Sequence, residues 1–132
     1  MFAGNTTALF VAALVATLMT ACGGGEIGSD EYIAPSYGSI AINRITGRGR
    51  ITSNYSWQSS ANSNAIDGCG AGCATVLEFG SYMCGALARG NGPTFGWASH
   101  SRKSNAEGDA LSACTTRGGV NCVVVLSACN DS

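Results

Sequence analysis

The sequence predicts an α+β domain of two pseudo-symmetric β-β-α-β halves: a mainly antiparallel sheet with two helices packed on one face, stapled by disulfides. Three observations predict it. Cysteines recur as two trios, Cys69, Cys73, Cys84 and Cys114, Cys122, Cys129, with Cys69 and Cys114, and likewise Cys84 and Cys129, 45 residues apart. A helix-like alanine pattern precedes each trio. The stretch from Ser36 to Ser132, 97 residues poor in charge, makes one small domain whose core is marginal without covalent help.

Ahead of that domain the chain reads as targeting sequence. From Ala8 to Ala21 there is no charge, in a run too short to span a bilayer comfortably. An apolar stretch of this length ending in small residues reads as the h-region and cleavage site of a signal peptide, residues 1–21, although Met1 to Thr7 lacks Lys and Arg. Leu18-Met19-Thr20-Ala21-Cys22 resembles the bacterial lipobox. That resemblance implies acylation of Cys22 and a lasting membrane anchor. Gly23, under the sorting rule that accompanies the lipobox, implies the outer membrane, with the protein facing the periplasm. Residues 22–35 are Gly-rich and acidic (Gly23-Gly24-Gly25, Glu26, Asp30, Glu31) and are expected to form a flexible tether.

The domain's elements follow in order. Ser39 to Ile42 alternates as a half-buried strand, Thr46-Gly47 turns the chain, and Arg50 to Asn54 returns. Ser56 is placed to cap a helix whose Ala61, Ala65 and Ile66 share one face. Ala74 to Phe79 is the third strand. In the second half Cys84 to Ala88 rises and Thr94 to Ala98 returns, the Asn91-Gly92 pair between them supplying the positive φ of a tight hairpin. Ser101 caps a second helix with Ala106, Ala110 and Leu111 on its face, and Val123 to Leu126 closes the half. Faces made of alanine predict helices lying close against the sheet.

Six cysteines in an exported domain read as a disulfide framework with 15 possible connectivities. The duplication favours Cys69–Cys73 and Cys114–Cys122 as two short loops. Cys84 and Cys129 are then left to meet across a pseudo-twofold axis. The competing reading is a zinc site, since C-x3-C lies within metal-ligand spacing.

The chain resembles a bacterial family, the domain of unknown function 4189, from about Tyr37 to Cys129. The resemblance rests on Tyr37-Gly-Ser-Ile-Ala41, Thr46-Gly47, Ala61…Ala65-Ile66…Cys69, Cys84-Gly-Ala-Leu-Ala88 and Ala106…Ala110-Leu111…Cys114. It implies a small exported or lipid-anchored protein. It transfers no catalytic residue, and for part of the family it implies immunity partners of secreted antibacterial toxins.

Chemistry is sparse. The seven basic residues all fall in the domain, against Asp67, Glu78, Glu107, Asp109 and Asp131, which is too weak a basic excess for a nucleic-acid partner. His100 stands without an evident orienting acid, and Glu78 without a second carboxylate, so no catalytic residue, cofactor or metal is assigned. The candidate binding residues are Arg44, Arg48 and Arg50 in the first hairpin, and Tyr55 and Trp57 at the first helix start, which with Phe95 and Trp97 of the second hairpin would form an aromatic contact patch. Each has a plainer role as a solvated hairpin tip or a core aromatic. The expected function is a non-catalytic envelope lipoprotein binding a periplasmic protein, with a peptidoglycan-binding module as the alternative and a small hydrolase behind both. On the chain-entropy model the Cys84–Cys129 bridge is worth about 4 kcal/mol and each short loop about 2–3. Cys84→Ala/Cys129→Ala is therefore expected to lower the urea midpoint more than removal of either other pair, measured on the oxidised domain.

Overall fold

The computed structural model describes residues 32–132; the expected signal peptide, 1–21, and residues 22–31 of the expected tether, Cys22 among them, lie outside the described residues. Eight elements follow in the expected order: β1 (Tyr37–Ile42), β2 (Gly49–Tyr55), α1 (Gln58–Cys69), β3 (Ala74–Phe79), β4 (Cys84–Arg89), β5 (Phe95–His100), α2 (Lys103–Thr116) and β6 (Val123–Cys129). Among the described residues no helix is long and apolar enough to cross a membrane.

The α+β class and the two β-β-α-β halves hold. The strands, however, form two antiparallel sheets of three rather than one, ordered β2-β1-β3 and β5-β4-β6. The cause lies in the two central strands. Ile40, Ile42 and Leu87 join Phe79 and Phe95 in one core. The residues that alternate with them are small: Ala41 packs with Ala65 and Cys69 of α1, and Ala86 and Ala88 pack with Ala106 and Ala110 of α2. Side chains alternate faces along a strand. The bulky faces of β1 and β4 therefore meet each other, and the small faces meet helices. Each helix covers the outer face of its own sheet, which replaces the expected pair of helices on one face.

The halves are related residue by residue, and not at a constant offset. Both central strands show a register shift against their third strand at the same step, after Ile40 and after Leu87. Matching these makes Gly38 the counterpart of Gly85, and Phe79 the counterpart of Ala128. The Phe79 ring fills the space beside both glycines, since a methyl carbon at Gly85 would come within 2.6 Å of it and one at Gly38 would overlap it. One ring thus occupies the centre for both halves, and its counterpart is alanine.

This correspondence changes the role expected for one disulfide. Cys69 joins Cys73 and Cys114 joins Cys122, each pair tying a helix end to the next strand. Cys84 opens β4, Cys129 closes β6, and the two are paired in register and bonded. Both belong to the second half. Their bridge stitches adjacent strands of one sheet rather than crossing the pseudo-twofold axis, and the first-half counterpart of Cys84 is Tyr37.

In place of a second stitch stands Asn130, only 4% exposed. Its side-chain amide donates to the carbonyls of Phe79 (3.0 Å) and Gly80 (2.7 Å), and its Oδ1 accepts the Asn54 N–H at 2.8 Å. Its own N–H donates to Met83 O at 2.9 Å. Asn130 of the second half thereby holds the ends of β2 and β3 of the first.

Local expectations fare unevenly. Neither Ser56 nor Ser101 caps a helix: the N-cap positions are Trp57 and Arg102, in extended backbone and without a side-chain cap. The serines sit one residue too early. His100 Nδ1 instead accepts the Arg102 N–H at 3.1 Å. The second hairpin is not a two-residue Asn-Gly turn. Only Gly92 has positive φ (74°), and a longer loop is closed by Gly90 N–H to Thr94 O at 2.9 Å. The alanine faces do bring the helices close. A methyl carbon on Gly96 of β5 would lie 2.7 Å from the Cys114 Cα of α2.

Gly96→Ala should therefore force α2 off its sheet and cost about 2–3 kcal/mol. Asn130→Ala, which strands buried carbonyls, should cost about 2–3 kcal/mol as well. Urea unfolding followed by near-ultraviolet dichroism reads both. A midpoint unmoved by Asn130→Ala would contradict the clamp.

Candidate functional site

Strand direction sorts the loops into two ends. Gly38 of β1 and Gly85 of β4 flank the same Phe79 ring, and Arg89 at the end of β4 meets Gly47 beyond the end of β1. The central strands therefore run the same way. The proximal end holds the incoming residues 33–36, the β3–β4 loop and residues 130–132, with Ser36 N–H bonded to Ser81 Oγ at 3.0 Å. The far end holds both β-hairpins, 43–48 and 90–94, and both helix-to-strand loops, 70–73 and 117–122.

Five of the seven basic residues collect at the far end: Arg44, Arg48, Arg50, Arg89 and Arg117. Only Arg102 and Lys103, at the start of α2, lie at the proximal end. Asp67 is the acid nearest the far end in the chain order of the elements, in the last turn of α1. The arginine bonds in the structure go to backbone carbonyls. Arg89 donates from Nη1 to Gly47 O (3.1 Å) and from Nε to Gly92 O (3.5 Å), tying the two hairpins across the sandwich. Arg117 Nη1 donates to Phe95 O at 3.4 Å. Arg48 and Arg50 run past Gly70 and Gly68, beside the C-terminal turn of α1, where the helix dipole favours positive charge.

The hairpin itself is held rigidly. Asn43 is buried, its Oδ1 accepts the N–H groups of Ile45 (2.9 Å) and Thr46 (3.0 Å), and its Nδ2 donates to Ala71 O (2.9 Å). Arg44 thus leaves a fixed backbone position toward β5. Its guanidinium carbon lies 5.7 Å from the Trp97 ring centroid, and that of Arg117 lies 3.7 Å from the same ring, a stacking distance. Arg44, Pro93, Thr94, Phe95, Trp97 and Arg117 line a cleft of about 200 Å³ here.

The sequence-derived candidates therefore divide. Arg44 and Trp97 come together. Arg48 and Arg50 share the far end with them but lie on the α1 side. Tyr55 and Trp57 sit at the proximal end, where β2 finishes and α1 begins, so they form no patch with Trp97. Trp57 is 71% exposed, whereas Phe95 is core. Arg117 and Arg89 were not among the candidates. No spacing in the sequence signals Arg117, because its side chain leaves the end of α2 and reaches Phe95 and Trp97 of β5.

His100 is occupied structurally. Besides the Arg102 N–H, it has Ser101 Oγ and Asn105 Nδ2 at 3.5 Å. Glu107 accepts from Ser127 Oγ at 2.8 Å, and Glu78 from Asn62 Nδ2 at 3.2 Å, so these acids bridge elements. Among the described residues no three His, Cys, Asp or Glu side chains gather as a metal site requires.

A family model described as Domain of unknown function (DUF4189) matches residues 37–129, the span from the first residue of β1 to the last of β6. No curated protein and no solved structure matches the chain.

Proposed function

The chain belongs to the family described as Domain of unknown function (DUF4189), and we propose that it acts as a non-catalytic envelope lipoprotein whose far end binds an acidic surface of a periplasmic protein. Cys22 is its lipid attachment point after removal of residues 1–21, and the outer membrane is its location. The sharper form of the role is an immunity protein that blocks a periplasmic toxin.

One observation carries this role: five arginines gathered on the end opposite the incoming chain. Concentrated charge of one sign on one end of a domain steers acidic partners to it. Rigid hairpins tied by Arg89 and Asn43 keep the ordering cost of binding low.

The test is capture from the native envelope followed by periplasmic co-expression with the product of the neighbouring gene. A captured protein should be lost with Arg44→Glu/Arg48→Glu/Arg50→Glu and retained with Lys103→Glu at the proximal end. Its binding should weaken as salt is raised. Rescue from a toxic neighbour establishes the immunity role, and no rescue removes it. Co-sedimentation with purified sacculi, in place of a protein partner, would favour the peptidoglycan-binding alternative.

A further inference from the structure

We infer that the cleft between Arg44, Trp97 and Arg117 is a carboxylate-recognition subsite that takes a single Glu or Asp side chain from an extended acidic segment of the partner. This rests on the protein-binding role above and specifies its contact.

The chemistry of the cleft is uneven in a telling way. Two guanidiniums lie within 6 Å of one indole centroid, at 3.7 and 5.7 Å. Arg117 is held in place by the Phe95 carbonyl and the ring, so its remaining N–H donors have a fixed direction. Arg44 is exposed on a rigid hairpin and brings a second set of donors to the same space. Two like charges facing one small volume repel, and an anion seated between them removes that repulsion. A planar carboxylate matches the guanidinium fork.

Size and surroundings select the source. Ligand pockets for whole small molecules typically run about 300–1,000 Å³. About 200 Å³ accommodates one acidic side chain. Pro93, Phe95 and Trp97 give the cleft apolar walls suited to the methylenes of Glu. Arg48 and Arg50 lie exposed at the same end, on the α1 side, so further acids along an extended segment would find cations there. A compact lone anion would use none of these.

The experiment uses the oxidised domain carrying Trp57→Phe, so that Trp97 is the sole tryptophan. Its fluorescence is titrated at low salt with a capped peptide bearing consecutive glutamates, with the same peptide bearing glutamines, and with a soluble disaccharide-peptide from the wall. Saturable change with the glutamate peptide and none with the glutamine peptide is expected. Arg117→Gln and Arg44→Gln should each weaken binding about tenfold. Arg102→Gln at the proximal end should leave it unchanged, and all variants are checked for native near-ultraviolet dichroism.

Equal response to both peptides, no response to either, or equal loss with Arg102→Gln overturns the subsite. Tighter binding of the wall fragment than of the glutamate peptide overturns the choice of a protein segment. If the peptide fails while a native partner is still captured through Arg48 and Arg50, the subsite falls and the protein-binding role stands.

Discussion

Every layer of this molecule depends on two strands that are buried on both faces. β1 and β4 carry bulky aliphatic residues on one side and alanines on the other, and all of Ile40, Ala41, Ala86, Leu87 and Ala88 are excluded from solvent. Burial of the bulky side fuses the two sheets, and the short side lets a helix approach to backbone contact. Neither sheet alone can cover the bulky side of its own central strand, because Ile40, Ile42 and Leu87 share one core between the sheets. The domain therefore forms as a pair of halves, with the Phe79 ring at their common centre.

Symmetry is broken where that pairing needs it. Two copies of Phe79 could not share the space beside Gly38 and Gly85, and the second position is Ala128. The covalent framework is unequal as well. Each half has one short bridge at a helix end, while only the second has a cross-strand stitch, Cys84–Cys129. The first half is completed instead by hydrogen bonds from Asn130.

Much of this was legible in residues and some was not. The alanine spacing gave both helices and their closeness to the sheets, and the strand segments stood where alternation put them. The division into two sheets was hidden. In Cys84-Gly-Ala-Leu-Ala the two faces differ in size and not in polarity, and polarity is what periodicity detects. The 45-residue spacing of Cys84 and Cys129 imitated the repeat, but it measures the length of one half. The basic hairpin was visible at once. The partnership of Arg44 with Trp97 and Arg117 was not, because it joins a hairpin of one half to a strand and a helix end of the other. Strand direction, invisible to composition, also separated Tyr55 and Trp57 from Trp97.

The Asn130 contacts carry a consequence for the order of events in assembly. A ribosome delivers this chain from its amino end, and β1, β2, α1 and β3 exist long before residue 130 does. Yet the carbonyls of Phe79 and Gly80 and the amide of Asn54 find their partner only in Asn130. The earliest part of the domain to be made is thus the part that must wait, and closure of the whole is gated by arrival of Asn130.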